Sequence, residues 1–172
     1  AMTTIQHFER ALGRKALWAD RRVRREGGGY DRQFVRQLRI YPHALRDRNA
    51  YYSPSKKALL FGYFPVASKD ADNTPGTIVF TCLSHDIIVH EAAHALLDGL
   101  RDGFTEPSSP DQAALHEGLA DVVSLLSVFS LPEVLLPFVA DMPTDTGGRR
   151  RRSAQQEGLL DKEVVTKERL RE

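Results

Sequence analysis

Residues Ser84–Leu100 read SHDIIVHEAAHALLDGL, and the rest of the chain arranges itself around them. Ile87, Ile88, Val89, Ala92, Ala93, Ala95, Leu96 and Leu97 place apolar groups almost all the way round a helix, the pattern of a buried one. Ser84 can serve as N-cap, and Asp86 lies in the first turn, where the helix dipole favours an anion. The pattern predicts a helix from Ser84 to about Asp102, ended by Gly103. His90, Glu91 and His94 are polar exceptions in this apolar setting. Buried without partners, such groups cost several kcal/mol, on the order of 2–7 for a neutral polar group.

On a helix, residues four apart lie on one face, one turn above the other. His90 and His94 can therefore aim two imidazoles at one ion. Glu91 is about 100° round the helix, placed to reach a water on that ion without being a ligand. This is the H-E-x-x-H arrangement of zinc sites in which the glutamate is a general base. A catalytic zinc needs a third protein ligand and one open position. HEGLAD, His116 to Asp121, supplies a candidate: 22 residues separate Glu117 from His94, room for a helix end, a loop and a second helix. Asp121 shares a face with Glu117 and suits a carboxylate that accepts the other N–H of a ligating histidine. The competing reading makes the two histidines packing residues of a core helix, with no metal.

Outward from this centre, the pattern predicts a helix from Thr3 to about Glu26, ended by Gly27–Gly29. A strand is expected from Phe34 to Tyr41, stopped by Pro42. NAYY (Asn49–Tyr52) and KKALLFGYF (Lys56–Phe64) read as strands, and TIVFTC (Thr77–Cys82) as a short buried one. Ser109-Pro110-Asp111 opens a helix expected to run from Pro110 to about Phe129. The order indicates an α+β domain over residues 1–141. A polar, Arg-rich tail follows over 142–172, with Arg149–Arg152 as a solvated run and a charged helix expected from Leu159 to Glu172. The chain has 172 residues, a formal net charge of +1, and one cysteine, Cys82, which excludes an intrachain disulfide and suits a reducing compartment. Nothing in the net charge recruits nucleic acid, no apolar run is long enough to span a membrane, and neither partner is expected.

Three segments resemble the gluzincin metallopeptidases, thermolysin-like ones most closely: NAYY at Asn49–Tyr52, DIIVHEAAHALL at Asp86–Leu97, and EGLAD at Glu117–Asp121. The resemblance implies a zincin-like fold: a mixed sheet whose edge strand lies over the active-site helix, with a second helix bearing the glutamate. It implies one zinc ion held by His90, His94 and Glu117, with Asp121 orienting His90 and Glu91 as general base. It implies Asn49 and Ala50 on the strand edging the cleft, pairing with an extended peptide or protein substrate. The activity implied is peptide-bond hydrolysis by zinc-activated water. The chain departs from the family in having no histidine after His116 and no tyrosine after Tyr63, where an oxyanion-stabilising lobe would be. Tyr30, His43, Tyr51 and Tyr52 are upstream substitutes. A second reading follows from that departure: a non-catalytic or impaired zincin-like module that binds metal without turnover.

Overall fold

A computed structural model describes residues 1–67, 74–101, 104 and 108–140. The expected tail over 142–172 lies outside the described residues, as does Gly103, the expected end of the motif helix. Helix α1 spans Met2–Leu12, and a two-stranded hairpin follows, β1 (Arg21–Arg24) and β2 (Tyr30–Gln33). Strands β3 (Arg39–Leu45), β4 (Ala50–Ser53), β5 (Ala58–Pro65) and β6 (Ile78–Phe80) form the main sheet. A single 3-10 turn at Thr81–Leu83 leads into α2 (His85–Leu100), followed by α3 (Pro110–Phe129) and α4 (Pro132–Ala140). The architecture is α+β with a mixed sheet.

Strand β5 is the axis of the sheet. β3 runs parallel on one side and β4 antiparallel on the other, with β6 antiparallel to its far end. Ala58 to Phe61 are all buried, as expected of a strand covered on both sides. Leu59, Phe61 and Tyr52 pack against Ala92 and Ala95 of α2, and the small alanines let the helix lie close to the sheet. A buried side chain the size of Leu59 or Phe61 contributes about 1.5–3 kcal/mol on this count. Gly62 turns the same strand past its neighbours: its N–H donates to the Asn49 carbonyl at 2.8 Å, and a Cβ there would run into the carbonyls of Asp47 and Asn49.

Several expectations are corrected. The first helix stops at Leu12, with Gly13 in the left-handed C-cap conformation at φ 66°. Arg21–Arg24, expected to be helical, is a strand, and the three glycines are the hairpin turn: Gly27, Gly28 and Gly29 have φ of 99°, 102° and 85°. Phe34 to Leu38 is not strand, and Pro42 lies within β3 rather than ending it. That is tolerable because β3 is at the sheet edge, where a missing N–H costs no ladder bond. TIVFTC is a strand for three residues only, with Ile78 exposed, and Cys82 falls in the 3-10 turn. Pro132 opens α4, a helix that the sequence pattern did not announce.

Helix α2 begins after Ser84 as expected, but the Ser84 hydroxyl engages the Asp86 carboxylate instead of capping the helix. Helix α3 begins as its sequence implies, the Ser109 Oγ accepting from the Gln112 N–H at 3.1 Å with Pro110 next in line. Its buried positions, Ala120, Ser124 and Ser127, form a small-residue seam facing α2. The Ser124 hydroxyl donates to the Asp86 carbonyl at 2.9 Å, and Ser127 Oγ lies 2.9 Å from His85 Nε2. No single helix among the described residues is long and apolar enough to cross a membrane; α3 and α4 meet that test only as a pair, bent by 68°.

Candidate metal centre

Two helices and one strand build the site. Helix α2 carries His90 and His94 on adjacent turns, and α3 brings Glu117 opposite them. His90 Nε2 and His94 Nε2 are 3.0 Å apart, and Glu117 Oε2 lies 3.3 Å from the first and 3.4 Å from the second. These three atoms form a nearly equilateral triangle. A tetrahedral ion with bonds of about 2.0–2.1 Å requires its ligand atoms roughly 3.3 Å apart, and the triangle has that edge. The donor set and its spacing therefore fit a metal ion. Two imidazoles and one carboxylate are a donor set for a first-row transition ion, zinc among them, while calcium and magnesium favour all-oxygen sites.

The sequence-derived residues meet here. His90 Nδ1 is 3.0 Å from Asp121 Oδ1, one turn past Glu117 on α3. That contact keeps the ring proton on Nδ1 and leaves Nε2 for an ion. Glu91 lines the same cleft as the triangle, 6% exposed, with its Oε2 accepting the Tyr52 backbone N–H at 2.7 Å. Asn49 and Ala50 line the same cleft of about 530 Å³, at the start of β4. Strand β4 pairs only with β5, so one edge of it carries no strand partner among the described residues.

Burial sets the protonation of the site. Glu91 is pushed up to about 7, first by burial and further by the Glu117 carboxylate; His90 and the Tyr52 N–H pull the other way. His94 is pushed down to about 4, again chiefly by burial, so it is a neutral ligand well below neutrality. The side chain of His94 is 10% exposed, whereas Glu117 is 64% and Asp121 76% exposed. The centre is walled on the α2 side and open on the α3 side.

Other residues enter that the sequence did not single out. The ring of His116 stacks on that of His94, 4.5 Å between centroids and 5° from parallel, and it lines the cleft. Burial lowers its pKa as well. Its position beside Glu117 was the available signal. Behind β4, the Tyr52 hydroxyl donates to Asp98 Oδ2 at 2.7 Å, and Lys57 Nζ donates to the same oxygen at 2.8 Å. All three side chains are buried. Of the four upstream oxyanion candidates, Tyr51 and Tyr52 line the cleft, but the Tyr52 hydroxyl is held by Asp98. Tyr30 belongs to the hairpin, and His43 packs against Tyr63 and Phe80.

In comparisons with known proteins, no family model, no curated protein and no solved structure matches the chain.

Proposed function

We propose that the chain is a zinc-dependent metallopeptidase domain of the thermolysin-like gluzincin kind. The observation that carries this reading is the triangle of His90, His94 and Glu117 donor atoms, 3.0–3.4 Å on its edges, with Glu91 beside it. Zinc held there would supply Lewis-acid polarisation of a carbonyl and a water acidic enough to act at neutral pH. The remaining work falls to the protein. Glu91, with a pKa of about 7, is matched to accept a proton from water and return it to a leaving amine. The Tyr52 N–H fixes one of its oxygens, leaving the other for that exchange. Asp121 holds His90 in the ligating tautomer. The edge of β4 that carries no strand partner among the described residues, beginning at Asn49 and Ala50, offers backbone groups to an extended peptide.

The test is metal content followed by hydrolysis. About one zinc per chain is expected, with much less in Glu117→Ala. Glu91→Gln should keep the metal and lose cleavage of a peptide library by at least about 10²-fold, the lower end of what a positioned base contributes. Full activity in that variant would exclude the mechanism.

A second reading has its own support in the exposure of Glu117 and Asp121. A module that binds zinc without turning over substrate could leave its ligands this open. Stoichiometric zinc with no cleavage of any peptide would favour it.

A further inference from the structure

Helix α3 has two packing faces. Ala120, Ser124 and Ser127 form the inner one, against α2. Leu115, Leu119, Val122, Leu126 and Phe129 follow one another at intervals of four, three, four and three residues. At about 100° per residue these five share an arc of roughly 80°, nearly opposite the inner face. All five are exposed, Leu115 to 64% and Leu126 to 63%. A four-three stripe is the seam by which one helix packs along another. Its flanks hold no Asp, Glu, Lys or Arg: His116 and Val123 stand on one side, Gly118 and Leu125 on the other.

Left in water, this seam is large. With Leu125 it exposes roughly 500 Å², as much as the largest apolar patch of a typical monomer. Helix α4 extends the apolar surface: the Phe138 ring meets that of Phe129 at 6.4 Å, and Val134, Leu135, Leu136 and Val139 are exposed. With them the area reaches roughly 800 Å², one partner's share of a standard interface.

We infer that this face is an interface between two copies of the chain, with α3 of one packed along α3 of the other. The area is that of a dimer interface. The four-three spacing fits a helix with the same spacing, and a two-fold axis supplies one by symmetry. Charges beside such a seam set partner choice, and here there are none to favour a different partner or to repel a second copy. A lipid surface fits less well. Residues 110–140 include four acidic residues and no Lys or Arg, whereas helices that lie on membranes are rich in Lys and Arg on their polar face. In the dimer the helix that carries Glu117 is held on both faces; below the dissociation constant only the inner face holds it.

Nothing in this contact requires a metal, so the experiment is run with chelator present and its outcome is separate from that of the peptidase reading. Sedimentation velocity of the full chain reads the association. Interfaces of this size dissociate at about micromolar concentration or below, so the parent is expected to be a dimer at about 100 µM. Leu115→Ala with Leu126→Ala should raise the Kd at least about tenfold. L115E with L126E should raise it at least about a hundredfold, because like charges then meet across the two-fold axis. Both positions point away from α2, so circular dichroism and the Tm of dilute, monomeric variants should match those of the dilute parent. A parent that stays monomeric at about 100 µM overturns the inference. A dimer indifferent to both double substitutions overturns it too, and moves the contact to another face. Variants that lose Tm where the parent is monomeric would show that the chain's own residues cover this face, which also overturns it. Phosphatidylcholine vesicles that capture a monomeric parent but not the L115E, L126E chain overturn it in favour of a lipid surface.

Discussion

At the scale of the residue, Glu91 and His94 give opposite pH signatures in the metal-free protein. Glu91 keeps its proton to about pH 7 when folded against an ordinary 4.5, so its contribution to stability is full below 4.5 and is lost as pH rises to 7. His94 falls from 6.5 to about 4, so its contribution is full above 6.5 and is lost as pH drops towards 4. Between those limits the two largely offset each other. Glu91→Gln removes one side, and Gln can still accept the Tyr52 N–H. Above pH 7 the metal-free variant should be more stable than the parent by about 1–3 kcal/mol, at roughly 1.4 kcal/mol per pKa unit. Its Tm should climb between pH 4.5 and 6.5, where the parent is flatter. Thermal unfolding with chelator at about pH 5, 6.5 and 8 checks this; a variant less stable than the parent at the highest pH would sink it. These residues were legible because their spacing is local: a helix places His90 and His94 together whatever the fold. The Tyr52 N–H on Glu91 was not legible, because the two are 39 positions apart and only the docking of β4 on α2 brings them into contact.

At the scale of the element, β4 is fastened to α2 at two heights. Near the middle of the helix Glu91 holds the Tyr52 backbone; two turns later Asp98 holds the Tyr52 hydroxyl and Lys57. Lys57 has a left-handed φ of 49° in the turn that precedes β5. Asp98→Ala leaves a buried ammonium unpaired and is expected to cost about 3–5 kcal/mol. Tyr52→Phe keeps the volume and removes one hydrogen bond, for about 1–2 kcal/mol. Denaturant midpoints order the two variants, and a reversed order would mean that Asp98 is not what fastens the strand. Gly99 is the complementary case. Alanine is a better helix former than glycine by about 1 kcal/mol, yet a Cβ here would strike the backbone of Leu17. Gly99→Ala should therefore destabilise the chain, and a gain in Tm would show that the Leu17 segment gives way. The same segment explains where the sequence pattern misleads. Arginine and leucine between Gly13 and Glu26 favour helix locally, and nothing in the pattern announces that Leu17 must lie flat against α2. Helix α3 was legible end to end because its start carries Ser109-Pro110 and its end comes just before Pro132.

At the scale of the whole molecule, the proposed metal joins parts of unequal firmness. Strand β5 and α2 carry most of the buried residues, whereas α3 buries only Ala120, Ser124 and Ser127, and α4 buries none. Leu115, Val122, Leu126 and Leu136 are at least half exposed. Little apolar burial therefore holds α3 in place, and low protection is expected wherever few buried contacts support a helix. Two of the three proposed ligands sit on the firm part and the third, Glu117, on the loose one. An ion that binds only when α3 is docked stabilises the docked state by about 2.7 kcal/mol at a hundred times its Kd. Amide exchange in the metal-free protein should be faster in α3 than in β5. Zinc at that excess should slow α3 by about a hundredfold, and Glu117→Ala should abolish the slowing. Equal protection of α3 and β5 without metal would make the molecule one cooperative unit. Rates in α3 that ignore zinc would mean that Glu117 does not close the site, and the three-ligand centre would fall with it.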